Sequence, residues 1–308
     1  MSDVIRIGTR ASRLALTQST SMAEAITRVT GRRTELVPVS TEGDRNLAPL
    51  TDFGGQGVFV SAVRDALLEG RVDVAVHSLK DLPTTPQDGV ALGAVPLRED
   101  PRDVVVARDG LTLGELPRGS TVGTGSPRRA AQLNALGLGL EVVPIRGNVD
   151  TRVGRVAEGT VDAVLLARAG LARLGRVDEA TEVLDPLQML PAPGQGALAC
   201  ECRSEDAGVL AALAQLDDGA TRAAVTAERS LLSTLEAGCS APVGALADVA
   251  LGEDGDELWL RAVVGAVSGA PMIRMSMTGS PDDPVGVGAR LAAEMLADGA
   301  AALVAEAQ

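Results

Sequence analysis

Short apolar runs alternate with amphipathic stretches along the first two thirds of the chain, which is typical of alternating strands and helices. In residues 1–96, strands are predicted at 4–8, 34–40 and 72–77, and helices at 13–29 and 58–69. Further strands are predicted near 104–107, 121–124, 141–145 and 161–166, with helices after Ser126 and Asn148. The alternation indicates an α/β fold class.

One pattern occurs twice in these segments. Residues 69–82 and 158–171 each pass from a helix end, Glu-Gly, through a turn into a buried strand of Val, Ala and Leu. Upstream of each copy, a strand leads through Gly-Thr to a serine that can cap the next helix, Ser12 in the first half and Ser126 in the second. We therefore predict two related α/β lobes, and ligands usually bind in the cleft between such lobes.

The two copies differ at one informative place, where the first has Lys80-Asp81 and the second has Ala169-Gly170. Open α/β sheets carry their chemistry just beyond the ends of buried strands. A carboxylate there could move protons or stabilise a developing cation. The structural alternative for Asp81 is a helix cap or turn residue before Pro83. Lys80 is either a substrate contact or a solvated neighbour.

Arginines gather at the same kind of position, where a predicted strand turns into a helix. Free backbone N–H groups and the helix dipole already favour anions there, and the guanidinium fork binds carboxylates in a two-pronged manner. Any one of these arginines could equally form a surface salt bridge. As a set, they favour a cleft for an anionic ligand, with a polycarboxylate preferred. They are Arg10, Arg128, Arg129, Arg146 and Arg152.

Composition limits the possible classes of function. The chain has 308 residues, enough for two or three domains, and none of its apolar runs reaches the ~18 residues of a membrane span. Its net charge of −13 disfavours nucleic acid and anionic membranes as partners. No signal peptide is visible, and three cysteines do not make a disulfide framework. We therefore expect a cytoplasmic protein.

The pattern changes near residue 219. A helix at 221–234, strands at 243–250, 257–267 and 272–278, and a helix at 285–298 predict a small open-faced α/β domain. The predicted domains are 1–96 with 197–215, 102–191, and 219–308. Cys239 lies in a loop that ends in proline, where a thiol would be accessible, although most free cysteines are buried hydrophobes.

The remaining metal-binding residue types suggest core positions. Cys200 and Cys202 alternate along one strand and therefore share a face, and no histidine lies nearby in sequence, so no metal site is predicted. His77, the only histidine, lies within a predicted buried strand. We therefore expect His77 to lie in the core, or to contact the residues that bind the ligand without touching the ligand itself.

Several segments together resemble the hydroxymethylbilane synthase (porphobilinogen deaminase) family over essentially the whole chain. They are residues 7–12 (IGTRAS), 76–83 (VHSLKDLP), 99–103 (EDPRD), 125–129 (GSPRR), 146–152 (RGNVDTR), 193–196 (PGQG) and 238–239 (GC). The resemblance implies two lobes like type II periplasmic binding proteins and a third domain. It also implies a dipyrromethane cofactor held as a thioether on Cys239, and a monomer.

The implied activity is that of a transferase of porphyrin, heme and tetrapyrrole biosynthesis. Four porphobilinogen molecules are joined head to tail on the dipyrromethane primer with loss of ammonia, and water then releases the linear tetrapyrrole hydroxymethylbilane. Porphobilinogen carries an acetate and a propionate. Each step therefore adds two carboxylates to the growing chain, which accounts for an arginine-lined cleft.

The resemblance also implies individual roles. Asp81 is the catalytic carboxylate, which hydrogen-bonds pyrrole N–H groups and stabilises the cationic azafulvene formed as ammonia leaves. Cys239 is an attachment point and not a nucleophile of each turnover. The cofactor or substrate carboxylates are bound by Arg10, Ser12, Lys80, Ser126, Arg128, Arg129, Arg146, Arg152 and Arg173.

The chain departs from the family in the loop before Phe59, where many relatives place lysines at the positions of Asp52 and Gln56. No cofactor role is carried over to these two residues. The glycines of this loop give it the flexibility of a lid. The alternative function for the whole chain is a non-catalytic two-lobed protein that only binds an anion. The third domain with Cys239 separates the two hypotheses.

Overall fold

The computed structural model describes residues 4–39, 60–238, 241–252 and 255–306. The chain divides into two compact units, one of Met1–Glu99 with Ala197–Arg222 and one of Asp100–Gly196 with Ala223–Gln308. The second unit therefore holds the predicted second lobe together with most of the predicted third domain. The finer division into three domains stays a prediction.

Three sheets are formed by the described residues. The strands are β1 (Val4–Thr9), β2 (Arg33–Pro38), β3 (Val74–Ser78), β4 (Val90–Ala94), β5 (Asp103–Ala107), β6 (Thr121–Gly123), β7 (Glu141–Val143), β8 (Ala163–Ala167), β9 (Glu182–Val183), β10 (Leu198–Arg203), β11 (Val243–Leu251), β12 (Asp256–Gly265) and β13 (Met272–Gly279). The α-helices are α1 (Arg13–Thr30), α2 (Ser61–Leu68), α3 (Pro127–Ala135), α4 (Val149–Ala157), α5 (Arg168–Arg173), α6 (Ala207–Ala214), α7 (Gly219–Thr234), α8 (Pro284–Ala297) and α9 (Ala300–Ala305).

The two five-stranded sheets have the same topology. Their orders are β2-β1-β3-β10-β4 and β7-β6-β8-β5-β9. In each sheet the first three strands are parallel, and the fourth runs antiparallel to both of its neighbours. The fourth strand comes from a distant part of the chain, residues 198–203 in one sheet and 103–107 in the other. The prediction of two related α/β lobes is confirmed.

The repeated sequence pattern adopts the same structure in both lobes. Strands β3 and β8 begin and end at equivalent positions of the two copies. Gly70 and Gly159 follow the preceding helices with φ of 71° and 70°, the left-handed region that glycine adopts without a steric penalty. Asp73 and Asp162 each accept a hydrogen bond from the backbone N–H of the adjacent parallel strand, at 3.0 and 2.7 Å.

Helices cover both faces of the first sheet. Ile26 of α1 and Leu213 of α6 pack with Ile5 and Ile7 on one face, whereas Val63 and Leu67 of α2 pack on the other. Because helices cover both faces of this sheet, the side chains on both sides of a central strand are buried. The sequence of such a strand is therefore almost continuously apolar, as in β3.

The cysteines of β10 lie in this core. Cys200 and Cys202 are buried on the face covered by α1 and α6, so their predicted position on one face is confirmed. Burial raises the pKa of Cys200 to about 12 and that of Cys202 to about 11. Thiols in this state are poor nucleophiles at neutral pH, because the thiolate is the reactive form.

A buried ion pair joins α2 to β10. Arg64 donates to both carboxylate oxygens of Glu201, at 2.9 and 2.7 Å. His77 Nε2 lies 3.3 Å from Glu201 Oε2 in a polar contact that is not aligned as a hydrogen bond. Burial by itself raises the pKa of Glu201, but Arg64 and His77 outweigh it and hold the pKa at about 2. The expected core position of His77 is confirmed.

The third sheet is an antiparallel meander of β11, β12 and β13. Apolar residues of α7, α8 and α9 cover one of its faces and form the largest apolar cluster of the second unit. On the other face, Leu246 and Val263 pack against Leu190. The structure thus confirms the predicted fold class, two α/β lobes and a small open-faced α/β domain.

Some elements were not predicted. Strands β4 and β9 and helices α5, α6 and α9 have no counterpart in the sequence analysis. Helix α6 reads Ala-Gly-Val-Leu-Ala-Ala-Leu-Ala, so it lacks the alternation of polar and apolar faces that marks an amphipathic helix. Strand β9 has two residues, too few for a periodic pattern.

None of the described helices combines the length and the apolar composition that crossing a membrane requires.

Acid unfolding tests the Glu201 ion pair. The pKa of Glu201 falls from 4.5 to about 2 on folding, so its stabilisation is complete above pH 4.5 and is lost as the pH falls through 2. As the pH falls from 4.5 to 2, we expect the protonation of Glu201 to lower the free energy of unfolding by on the order of 3 kcal/mol. Urea denaturation followed by circular dichroism at several pH values measures it.

The matched variants are Glu201→Gln and Glu205→Gln, which remove a buried and an exposed carboxylate. Glu201→Gln should be less stable at pH 7, because Arg64 stays buried without a counter-charge, and should lose less stability between pH 4.5 and 2. Glu205→Gln should follow the wild type. If Glu201→Gln has the same acid dependence as the wild type, the ion pair does not carry the effect.

Candidate active site

In the first unit, four of the predicted site residues follow two neighbouring strands. Arg10 and Ser12 come directly after β1, and Lys80 and Asp81 come directly after β3, which is parallel to β1 and adjacent to it. Parallel neighbours end at the same edge of a sheet. The structure therefore brings these residues to one edge, as the sequence predicts.

Local hydrogen bonds position this edge. Ser12 Oγ caps α1 by accepting from the N–H of Ala15 at 3.4 Å. Leu79–Asp81 form one turn of 3₁₀ helix, closed by a hydrogen bond from the Leu82 N–H to the Leu79 carbonyl at 3.0 Å. The carboxylate of Asp81 is exposed, and no residue in the described part of the chain donates a hydrogen bond to it.

In the second unit, the adjacent parallel strands β7, β6 and β8 end at the equivalent edge. Ser126 caps α3, because its Oγ accepts a long hydrogen bond of 3.4 Å from the backbone N–H of Arg129. Asn148 caps α4 in the same way, with its Oδ1 accepting from the backbone N–H of Thr151 at 2.9 Å. The first turns of α3 and α4 carry backbone N–H groups that favour an anion. The predicted residues that follow β6 and β7 at this edge are Ser126, Arg128, Arg129, Arg146 and Arg152.

Arg128 and Arg129 are buried beneath this edge and share one carboxylate. Asp103 accepts from Arg128 Nη1 at 2.7 Å through one oxygen, and from Arg129 Nη2 at 2.7 Å through the other. Burial raises the pKa of Asp103, but the two guanidinium charges outweigh it and hold the pKa far below its usual range. Two cations and one anion leave a net charge of +1 in this cluster.

Two more arginines add to this charge. Arg146 is exposed and Arg152 is half-buried, with its Nε donating to the Gly147 carbonyl at 2.9 Å. Burial, and then repulsion from Arg129 and Arg146, lowers the pKa of Arg152 to about 10. An anionic ligand would relieve this repulsion.

Arg173 stands at the end of α5, away from the helix N-termini. Its Nη2 donates to the carbonyl of Gly196 at 2.6 Å, so it also holds the segment through which the chain returns to the first unit. The roles of Arg173 and of the other predicted ligand residues stay predictions.

Sequence reasoning missed the residues that support this site. Asp103 and Gln195 lie in two of the segments that carry the family resemblance, but no role was assigned to either. The available signal was an aspartate at the start of an otherwise apolar strand, Asp103-Val104-Val105-Val106-Ala107. A charged residue in such a strand has to find a buried partner.

Two predicted features lie outside the described residues. The first is Cys239, the predicted attachment point. The second is the glycine-containing loop with Asp52 and Gln56.

The donor set at the second edge fits a dipyrromethane with acetate and propionate groups. The fit rests on guanidinium groups and helix N-termini, which are suited to carboxylates. One buried polar atom, Arg128 Nε, lacks a hydrogen-bond partner within the described residues. Arg128, Arg129, Arg146 and Arg152 are the residues that would hold such a group.

Comparison with known proteins identifies the family. Residues 5–211 match the family model "Porphobilinogen deaminase, dipyromethane cofactor binding domain", and residues 222–297 match "Porphobilinogen deaminase, C-terminal domain". The chain is 58% identical over 311 residues to porphobilinogen deaminase 1 of Streptomyces coelicolor, covering 98% of both chains. It is 58% identical over 306 residues to porphobilinogen deaminase of Mycobacterium tuberculosis, again over 98% of both.

Among solved structures, the methionine binding protein MetQ is similar to this chain with a TM-score of 0.46 and 12% sequence identity. The match covers 70% of this chain and 89% of the MetQ chain.

The two family matches and the close relatives agree along nearly the whole chain. They confirm the transferase activity, the place in porphyrin and heme biosynthesis and the dipyrromethane cofactor that the sequence predicts, and they do not favour a non-catalytic anion-binding protein. The chain belongs to the porphobilinogen deaminase (hydroxymethylbilane synthase) family.

Proposed function

We propose that this chain joins four porphobilinogen molecules on a dipyrromethane attached to Cys239, with Asp81 as the catalytic carboxylate and the arginines as carboxylate ligands. The observation that carries the proposal is the concentration of positive charge at the ends of β6 and β7. Four arginines follow these two neighbouring strands, and Asp103 neutralises one of the four charges, in a chain whose net charge is −13. A cluster with excess positive charge attracts anions.

The arginines bind and orient the ligand. Each pyrrole unit carries two carboxylates, and a guanidinium fork fixes both the position and the plane of a carboxylate that it binds. Arg128 and Arg129 are already held in place by Asp103, so a ligand does not have to order them. Orientation of the reacting units by fixed groups lowers the entropic part of the barrier.

Asp81 acts at the ring that reacts. Its exposed carboxylate, at the end of a buried strand, can accept hydrogen bonds from pyrrole N–H groups of the substrate. A fixed negative charge there stabilises the positive charge that develops on the substrate as ammonia leaves. The same group can accept the proton released when the ring regains aromaticity. When bound, the dipyrromethane supplies the pyrrole carbon to which the first substrate is joined.

Cys239 is the thiol best suited to hold the cofactor. The two other cysteines are buried in the core of the first lobe, and their pKa values are raised to about 12 and about 11. Both are therefore protonated at neutral pH and shielded from a ligand.

The remaining predictions belong to the same proposal. The protein acts as a cytoplasmic monomer on a small-molecule substrate, without nucleic acid or membrane partners. The net charge of −13 supports the absence of these anionic partners. Its domains are 1–96 with 197–215, 102–191, and 219–308.

The proposed function is tested by intact-mass measurement and an ammonia assay. The purified chain should be heavier than its sequence by one dipyrromethane, and porphobilinogen should yield ammonia and hydroxymethylbilane. Short incubation with substrate should add discrete porphobilinogen-sized increments to the protein mass. A chain of unmodified mass that binds small anions but releases no ammonia would show that it is a binding protein.

Replacing Asp81 tests the catalytic carboxylate. We expect Asp81→Ala to lower kcat by at least ~10²-fold, the usual contribution of a positioned acid or base, while the cofactor stays attached. Steady-state kinetics and intact mass measure the two effects. Asp88→Ala removes an exposed carboxylate seven positions along the chain and should retain wild-type kinetics. Near-normal turnover by Asp81→Ala would remove this residue from the mechanism.

Replacing Cys239 tests the attachment point. Cys239→Ser should lack the dipyrromethane mass and should be inactive, since an alkoxide forms far less readily than a thiolate. The control, Cys202→Ala, removes a buried thiol and should keep the adduct. The prediction would be wrong if the adduct persists in Cys239→Ser and is lost in Cys202→Ala or in Cys200→Ala. The thioether would then belong to a cysteine of β10.

A further inference from the structure

One carboxylate of the second lobe is completely enclosed by donors. Asp103, at the start of β5, is 0% exposed. Its Oδ1 accepts from Arg129 Nε at 3.1 Å, Arg129 Nη2 at 2.7 Å and Gln195 Nε2 at 2.9 Å, and its Oδ2 accepts from Arg128 Nη1 at 2.7 Å. Because Asp103 is 0% exposed, its carboxylate is not accessible to a substrate.

The two arginines are fixed from a second side by backbone carbonyls. Arg128 Nη1 also donates to Leu190 O at 2.6 Å, and Arg129 Nη1 donates to Leu165 O at 3.0 Å. Each guanidinium thus has its plane set by one shared carboxylate and one carbonyl. An arginine side chain without such contacts has several rotatable bonds, and ordering it costs free energy when a ligand binds.

Gln195 supports the carboxylate in turn. It is 1% exposed, and its Nε2 donates to Asp103 Oδ1 and to the carbonyl of Pro101 at 2.7 Å. Pro101 and Gln195 each lie next to a place where the chain passes between the units. The glutamine therefore fixes the start of β5, and with it the carboxylate.

We propose that Asp103 is a positioning residue, which holds the guanidinium groups of Arg128 and Arg129 in the orientation that binds ligand carboxylates, with Gln195 as its support. The inference rests on the proposed function and adds to it the residue that orients the carboxylate ligands. Because Asp103 cancels only one of two cationic charges, it orients the pair and leaves it attractive to an anion.

Two variants test the proposal. Asp103→Asn keeps the shape but removes the charge and presents an N–H₂ group to the arginines. We expect kcat/KM for porphobilinogen to fall by about 10²-fold, the cost of a displaced reacting group. Gln195→Met keeps the charge and the approximate volume and removes one support. Its kcat/KM should fall roughly tenfold, in line with the loss of a buried hydrogen bond.

The matched control is Thr221→Val, which also removes one buried hydrogen bond. Thr221 is 7% exposed, and its Oγ1 accepts from the backbone N–H of Arg98 at 3.2 Å. Within the described residues it makes no hydrogen bond to Asp103, Arg128 or Arg129. Thr221→Val should lower the melting temperature by an amount similar to Gln195→Met while leaving kcat/KM within about twofold of the wild type, since such effects are local.

A double-mutant cycle with Arg129→Lys separates positioning from stability. Lysine cannot reproduce the fork, so once Arg129 is replaced, Gln195→Met should lower kcat/KM little further. The melting temperatures of the same four proteins are measured alongside, because residues of one hydrogen-bond network also couple in stability. A purely structural role would give coupling in the melting temperature but none in kcat/KM. If Asp103→Asn does not fold, Gln195→Met and its cycle decide the question.

The outcomes are distinct from those for the proposed function. A wild-type chain that carries dipyrromethane and releases ammonia, together with Gln195→Met and Asp103→Asn variants within twofold of it, overturns the positioning role alone. Additivity of Gln195→Met with Arg129→Lys overturns it as well. A wild-type chain without cofactor or ammonia release overturns the proposed function first.

Discussion

Parallel pairing of strands determines where this protein can place its functional groups. In both lobes the parallel strands end at one edge of the sheet, so each turn that follows contributes side chains to the same region. In the first lobe these turns carry Asp81 and its neighbours, and in the second they carry the arginines. Helices begin at the same turns, and their N-termini add partial positive charge. The positive potential at these edges therefore begins with the topology, before any single side chain is considered.

Burial of charge is the second constraint, and the protein resolves it in a consistent way. Glu201 is paired with Arg64, Asp103 with two arginines, and Glu228 with the backbone N–H groups of Gly194 and Ala247. Removing a carboxylate from water is costly unless donors surround it. Each of these groups therefore fixes the elements that supply its donors, and two of them, Asp103 and Glu228, fix the segments around residues 101 and 194.

Duplication explains the scaffold but does not account for its asymmetry. The shared topology extends to Asp73 and Asp162, which make the same backbone hydrogen bond in their respective lobes. The copies diverge just after the central strand, where one lobe has a 3₁₀ turn with Asp81 and the other has α5 with Gly170. The first lobe therefore carries a carboxylate at this position, whereas the second lobe carries none and has arginines at its other strand ends.

The sequence by itself determined most of the strands and helices, the repeat and the residue types at the strand ends, because apolar periodicity, caps and glycines are local signals. It did not predict elements that lack such signals, such as β9 and α6. The family followed from the motifs at these turns. Only the tertiary structure decided which groups meet, and it showed that Arg128 and Arg129 turn inward to a common carboxylate instead of lying on the surface. Arg64 and Glu201, which are 137 residues apart, are likewise joined only by folding. Periodicity specifies the face on which a residue lies, whereas its partner depends on which distant strand packs beside it.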